Sequence, residues 1–315
     1  MARQKATSSP DIPRHDFGVI REHFDNLRQA IGNRIDREWP GRSRFGGVEG
    51  GKALVLGLYK ASENYLAASR FLLADTPPEP ARKLEFALAN PPLARVILDA
   101  LCTVVFLFDS FEARVAWHYK AGWLDVRRET DRLRAAYSSD PEWVEDLARR
   151  EHYLAETRSI YGITDEDLKK PRKLQFPTPD AMLRDHLIKG TDRYIFVEFM
   201  LDWFYRELSQ DSHLTFTGIG RTLPLLVARD MADQVRHDRL QSARTKQIGT
   251  SLILMMTLIT ELEVELGFGE KERAKYVWAV LQSWNPSAKE VYSRFYEPFF
   301  GPASVEMKPP LGGRC

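Results

Sequence analysis

LARVILDALCTVVFLF, residues 93–108, is the stretch that decides the fold. A helix drawn through it is apolar in nearly every direction, so it belongs at the centre of a protein rather than at its rim. A charged pair nevertheless sits inside it, Arg95 and Asp99, spaced i, i+4. Charges in such a setting must be paired or hydrogen-bonded, because unpaired burial costs several kcal/mol. The sequence therefore calls for a second polar stripe facing this helix.

Outward from this segment the helical period continues. Residues 52–74 place Leu54, Val55, Leu58, Tyr65, Leu66, Leu72 and Leu73 on one face, until a Thr-Pro-Pro-Glu-Pro run removes donors and stops the helix. Residues 111–137 repeat Phe111, Val115, Tyr119, Trp123, Val126 and Leu133, and Pro141 opens a helix that reaches about Tyr161. Residues 164–179, with KKPRK at 169–173 and two further prolines, read as a connection. A short helix near 181–187 and a very apolar one over 193–210 follow, then a turn through Thr217, Gly218 and Gly220. Another helix begins near Thr222, a long one covers 232–266 with a break expected near Gly249, and the last two cover 270–284 and 287–296. No strand alternation and no internal repeat interrupts this pattern. The fold class is all-α, a multi-helix bundle in a single helical domain over 15–300, between polar tails at 1–14 and 301–315 expected to be flexible.

Composition narrows the function classes. Of 315 residues, 43% are hydrophobic and 28% charged, enough apolar surface for a sizeable core. Forty-five basic against 44 acidic residues leave a formal net charge of +1, so no global field draws the molecule to nucleic acid or anionic lipid, and a polyanion must be met by a local patch. Only Cys102 and Cys315 are present, which excludes a disulfide scaffold and a thiolate zinc cluster and fits a reducing compartment. The N-terminus lacks a signal-like apolar core, and the apolar runs 104–108 and 252–259 are shorter than a bilayer requires. The expectation is a cytoplasmic protein without a membrane.

Metal chemistry finds few ligands. A ferritin-like di-metal bundle needs a Glu and a His with two residues between them on each of two helices, and none of the seven histidines has that Glu. A helical metal phosphohydrolase would begin at His237-Asp238, yet no Asp follows Asp238. Glycine-rich phosphate loops are missing as well, since Gly46, Gly47, Gly50 and Gly51 follow no strand. No metal and no cofactor is expected.

The facing stripe is found in YIFVEFMLDWFYRELSQDSH, residues 194–213. Tyr194, Val197, Leu201, Phe204 and Leu208 form its apolar face, with Glu198, Asp202, Tyr205, Arg206, Ser209 and His213 beside it and Ile195, Phe199 and Trp203 on the far edge. Arg206 and His213 are about two turns apart and so share a face if the helix is regular. Histidine titrates near neutrality and can move a proton, while Arg can hold a phosphate and its developing charge.

Residues 50–240 resemble an uncharacterised bacterial all-helical family with an Arg-x-x-x-acid helix, here Arg95 to Asp99, followed by Tyr-x-x-Leu-Ser and a His, here Tyr205 to Ser209 and His213. That family is distantly similar to the HEPN superfamily of helical bundles. The resemblance implies a HEPN-like four-helix core within about 50–266, with additional N- and C-terminal helices. It also implies a metal-independent endoribonuclease, a hydrolase of a bacterial toxin or antiviral defence module, acting on RNA as a homodimer, with a protein partner from the same module. Arg206 and His213 would be catalytic, and Arg95, Asp99, Asp202, Tyr205 and Ser209 would bind substrate or support the pair. Six residues separate Arg206 from His213, and Glu207 stands where HEPN enzymes often carry a small polar residue.

Plainer readings stand beside these. Arg206 can pair with Asp202 one turn away, His213 can donate to carbonyls at a helix end, and Arg95 with Asp99 can be a structural pair. His118, between Trp117 and Tyr119, reads as a packing residue, and the aromatic C-terminal region as core or dimer contact. The competing function is then a non-catalytic helical interaction or sensor subunit of a defence or regulatory complex.

Overall fold

The computed structural model describes residues 16–39, 49–73, 85–169, 171–212, 216–227 and 233–303. The expected tail 1–14 lies outside that range, and so do residues 304–315 of the tail expected over 301–315, and His213. All regular structure among the described residues is helical, which establishes the all-α multi-helix architecture. The chain groups into two compact units, Gly41–Leu254 and the combination of Met1–Pro40 with Met255–Cys315. The single domain expected over 15–300 stands beside this grouping without being decided by it, because one helix runs unbroken across the division.

In the first of these units, α3 (Pro91–Asp109) is the axis. Pro91 and Pro92 open it, where their missing N–H groups cost nothing. At its other end Arg114 donates to the Phe106 carbonyl at 2.6 Å and Arg193 to the Val105 carbonyl at 3.1 Å, two cations on the negative end of the dipole. Twelve residues of α3 are buried, as an all-round apolar helix demands. It packs against α2 (Glu49–Leu72), α4 (Phe111–Tyr137), α8 (Asp192–Met200) and α9 (Arg206–Ser212). α5 (Pro141–Ile160), capped by Asp140 accepting from the Glu142 N–H, lies along α4 over Trp123, Leu124, Leu154 and Ile163.

Several connections differ from expectation. The segment read as a loop over 164–179 holds α6 (Asp165–Lys169) and a 3₁₀ turn at Pro171–Leu174, followed by the one-turn α7 (Pro179–Ala181) and a π-turn at Met182–His186. Residues 217–220, expected as a turn, lie inside α10 (Phe216–Val227). The long helix α11 (Asp233–Leu266) passes Gly249 without a break. Buried packing on both sides outweighs a single glycine's cost of about 1 kcal/mol.

Gly218 is where α10 crosses α9 most closely. A Cβ built there would lie 2.4 Å from the Gln210 carbonyl oxygen, whereas one at Gly220 meets nothing within 4 Å. Gly218→Ala is therefore expected to lower stability by about 1–3 kcal/mol, because the obstacle is backbone. Gly220→Ala should be neutral or stabilising by up to about 1 kcal/mol from helix propensity. Chemical denaturation of the two variants checks this, and equal midpoints would show that the helices do not meet there.

The second unit packs α1 (Asp16–Arg37) on α12 (Lys271–Trp284) through Phe24, Leu27, Ile31 and Ile35. α13 (Pro286–Val291), a π-turn at Tyr292–Tyr296 and α14 (Glu297–Phe300) complete it. Of the C-terminal aromatics expected as core or dimer contact, Trp278, Tyr292 and Tyr296 are fully buried in their own unit and Phe300 is buried, whereas Trp284 and Phe295 are half-buried and Phe299 is exposed.

Two helical stretches, Glu85–Asp109 and Asp233–Leu266, are long and apolar enough to cross a membrane by length and composition, which corrects the expectation of short apolar runs. Their most apolar windows are 67% and 78% buried inside the protein, so what they cover is protein core.

Candidate functional site

The helix expected over 193–210 spans α8, a π-turn at Leu201–Tyr205 and α9. At its N-terminus the Thr191 hydroxyl accepts from the Tyr194 N–H at 3.3 Å. Within the π-turn the Arg206 N–H bonds to the Leu201 carbonyl, five residues back instead of four. One extra residue per turn slips the register, so a stripe drawn on a regular 3.6-residue period does not continue through it.

The slip redistributes the expected site residues. Asp202 and Trp203 are exposed, Phe204 and Leu208 are buried, and Tyr205 turns toward α3. Trp203 stacks on Phe199 at 5.0 Å instead of lining a pocket. Arg206 is exposed and the Asp202–Arg206 ion pair does not form among the described residues. Glu207 is held by Lys246 of α11. Ser209 is half-buried.

Arg95, Asp99 and Tyr205 come together. The Arg95 guanidinium lies 3.5 Å from the centre of the Tyr205 ring, and its Nε donates to Asp99 Oδ1 at 3.3 Å. The Arg95 side chain is 15% exposed and Asp99 41%, so the pair lies at the edge of the core and not inside it. Arg95 Nη1 is buried without a hydrogen-bond partner. Burial raises the Asp99 carboxyl, and Arg95 partly offsets this through its charge and hydrogen bond. Burial likewise raises the Tyr205 hydroxyl; Arg95 lowers it, and Asp99, Cys102 and Asp180 add to the rise. Cys102 is fully buried with its thiol pushed far up, chiefly by burial, which makes it inert packing.

This cluster holds an oxyanion-binding side chain, a carboxylate and a phenol on two helices fixed by core packing. No group of three or more His, Cys, Asp or Glu side chains among the described residues has the arrangement to hold a metal ion. Arg206 makes no hydrogen bond or ion pair with Arg95 or Asp99 among the described residues, and His213 lies outside them.

A second cluster surrounds His118, which the sequence offered only as a packing residue. Trp117 and His118 on α4 meet Phe106 on α3, Phe176, and His186 of the Met182–His186 π-turn. His118 Nδ1 is buried with no partner, and burial lowers its imidazole below the ordinary histidine range. A neighbouring aromatic ring returns about 0.5–2 kcal/mol to a cation, less than burying one without a hydrogen bond costs. No local signal announces this group, because Phe176 and His186 are brought to α4 only by the chain reversal that follows α5.

Compared with known proteins, the chain matches no family model, no curated protein and no solved structure.

Proposed function

We propose that the protein is a metal-independent endoribonuclease of HEPN-like type, working in the cytoplasm as a homodimer within a bacterial defence or toxin module. The observation that supports this reading best is the Arg95 guanidinium, held by Asp99, stacked on Tyr205 and left with a buried donor unused. A guanidinium so oriented offers a phosphodiester a fixed cation, and its orphan donor is one a substrate oxygen would satisfy after a small opening. In this reading Arg206 and His213 supply the reacting groups: His213 moves the proton of the attacking 2′-hydroxyl or the leaving oxygen, and Arg206 stabilises the charge that develops. Asp202 and Ser209 support them.

Incubation of the purified full chain with mixed cellular RNA in EDTA tests the proposal. Cleavage by the wild type should fall at least about 100-fold in His213→Ala and drop in Arg95→Gln, with helical content unchanged. Undiminished cleavage by His213→Ala would assign the activity elsewhere.

A non-catalytic interaction subunit is the second reading, favoured by α10. Ile219, Leu223 and Leu226 follow one another at helical steps and are 41%, 49% and 45% exposed, an apolar row more typical of a docking face than of a free surface. Absence of cleavage on any RNA would put this reading first.

A further inference from the structure

Residues 174–187 cross α3 and α4 with little to hold them, since only Pro179, Met182 and Leu187 are buried there. Between Leu174 and Thr178 no side chain is fully buried; Leu174 packs on the Trp123–Leu154 cluster, and beyond it this arm is held by its ring contacts. The Phe176 ring lies 4.7 Å from His118, 5.6 Å from Trp117 and 5.8 Å from Phe106, and Trp117 Nε1 donates to the Leu174 carbonyl at 2.9 Å. At the other end the His186 ring packs 4.9 Å from Trp117, and Arg114 donates to the His186 carbonyl at 3.3 Å.

His118 is the weak point of this arrangement. Its Nδ1 is buried and finds no acceptor, so a second N–H would be stranded inside the contact. The charged groups nearby are committed elsewhere. On α4, Arg114 is bound to Asp109 and Lys120 to Asp167; on the 174–187 segment, Arg184 is bound to Asp180 and Asp185. The Tyr119 ring lies 6.2 Å from His118 with its hydroxyl donated to the Gly50 carbonyl, and the His186 ring reaches Trp117 rather than His118. No carboxylate among the described residues bonds to the His118 ring to receive a proton-bearing form.

We propose that residues 174–187 are a proton-released strap, latched by neutral His118 against Phe176, whose opening uncovers the Arg95–Asp99–Tyr205 site. The strap reaches that site through α7, which packs on α3 and carries Asp180, a charge felt at Tyr205. The second half of the proposal rests on the proposed function, while the latch itself does not.

The sign follows from linkage. Closed, His118 resists protonation; open, it titrates near its ordinary value of about 6.5, so closure is fully favoured above that pH and weakens as pH falls below it. Between pH 7.5 and 5.5 the opening equilibrium should rise, by at most about tenfold, the extra weight an open imidazole gains one pH unit below its midpoint.

Hydrogen exchange of the peptide covering 174–187, measured on the full chain without RNA and corrected for intrinsic rates, reads this directly. The wild type should show this rise, His118→Phe should abolish it while keeping the ring contact, and His186→Phe should leave it in place. A flat wild-type response, a rise that persists in His118→Phe, or one lost only in His186→Phe would each overturn the latch. Should His118→Phe fail to fold, NMR titration of the wild-type His118 ring decides: a midpoint at or above about 6.5 overturns the proposal, and one below it supports it. Because RNA is absent, failure here is distinct from failure of the nuclease reading.

Discussion

Trp278→Ala is expected to destabilise the unit that contains it by about 3–5 kcal/mol, the usual range for emptying a fully buried aromatic site. Trp278 lies on α12 with no exposed surface, 5.8 Å from Tyr292 and 5.6 Å from Tyr296. Its Nε1 donates to Thr260 Oγ1 at 2.9 Å, and Thr260 in turn donates to the Met256 carbonyl at 2.7 Å. The indole therefore fixes α12, α11 and the Tyr292–Tyr296 turn at one point. Tyr296 would lose a wall while keeping its hydroxyl bond to Glu261 at 2.9 Å. Hydrogen exchange over residues 255–300 should register the loss as faster exchange throughout. Trp278→Phe, which restores most of the volume but not the N–H, should cost about 1–2 kcal/mol. A loss below about 1 kcal/mol in the alanine variant would mean that this site collapses freely, contrary to its packing.

Asn90→Ala is the second large effect, for a different reason. Asn90 occupies the N-cap of α3 but makes no capping bond; its side chain is turned into the core. Its Oδ1 accepts from Ser69 Oγ, and its Nδ2 donates to Gln247 Oε1 and Ser251 Oγ, each at 3.2 Å. Ser69 and Ser251 are themselves 3.0 Å apart, and all four side chains are buried. The network ties α2, the start of α3 and α11 at one register. Removing the amide takes a bond from three buried partners, of which Ser69 and Ser251 still hold each other and Gln247 is left without this donor, and the expected cost is about 2–3 kcal/mol. Urea denaturation of Asn90→Ala, Ser251→Ala and the double variant measures it, and the double variant should lose less than the two singles added, because both remove the Asn90–Ser251 bond. Additive losses would show that the residues act independently.

The two effects differ in how far they could be foreseen. A tryptophan in the aromatic C-terminal region reads as core or dimer contact from its residue type, and the structure buries it and supplies its partners. Asn90 offers no such signal. It stands before two prolines, where Asn reads as an ordinary helix cap, and its partners are 21, 157 and 161 residues away in sequence.

The sequence by itself determined the helical class, most helix boundaries and the central position of α3, because apolar period and proline punctuation act over one or two turns. It also determined that Arg95 and Asp99 needed partners, since charge in an apolar helix is costly wherever the chain goes. Only the tertiary structure decided what those partners are. The stripe drawn through Asp202, Arg206 and Ser209 assumed a regular period, and the π-turn at Leu201–Tyr205 moved Tyr205 alone onto Arg95 and left Arg206 and Asp202 in solvent. A π-turn pays for its poorer backbone geometry through the packing around it, so it is written in no local run of residues. The same holds for the His118 latch and for Gly218 inside a helix: each depends on what another segment brings within a few ångströms, and that distance exists only after folding.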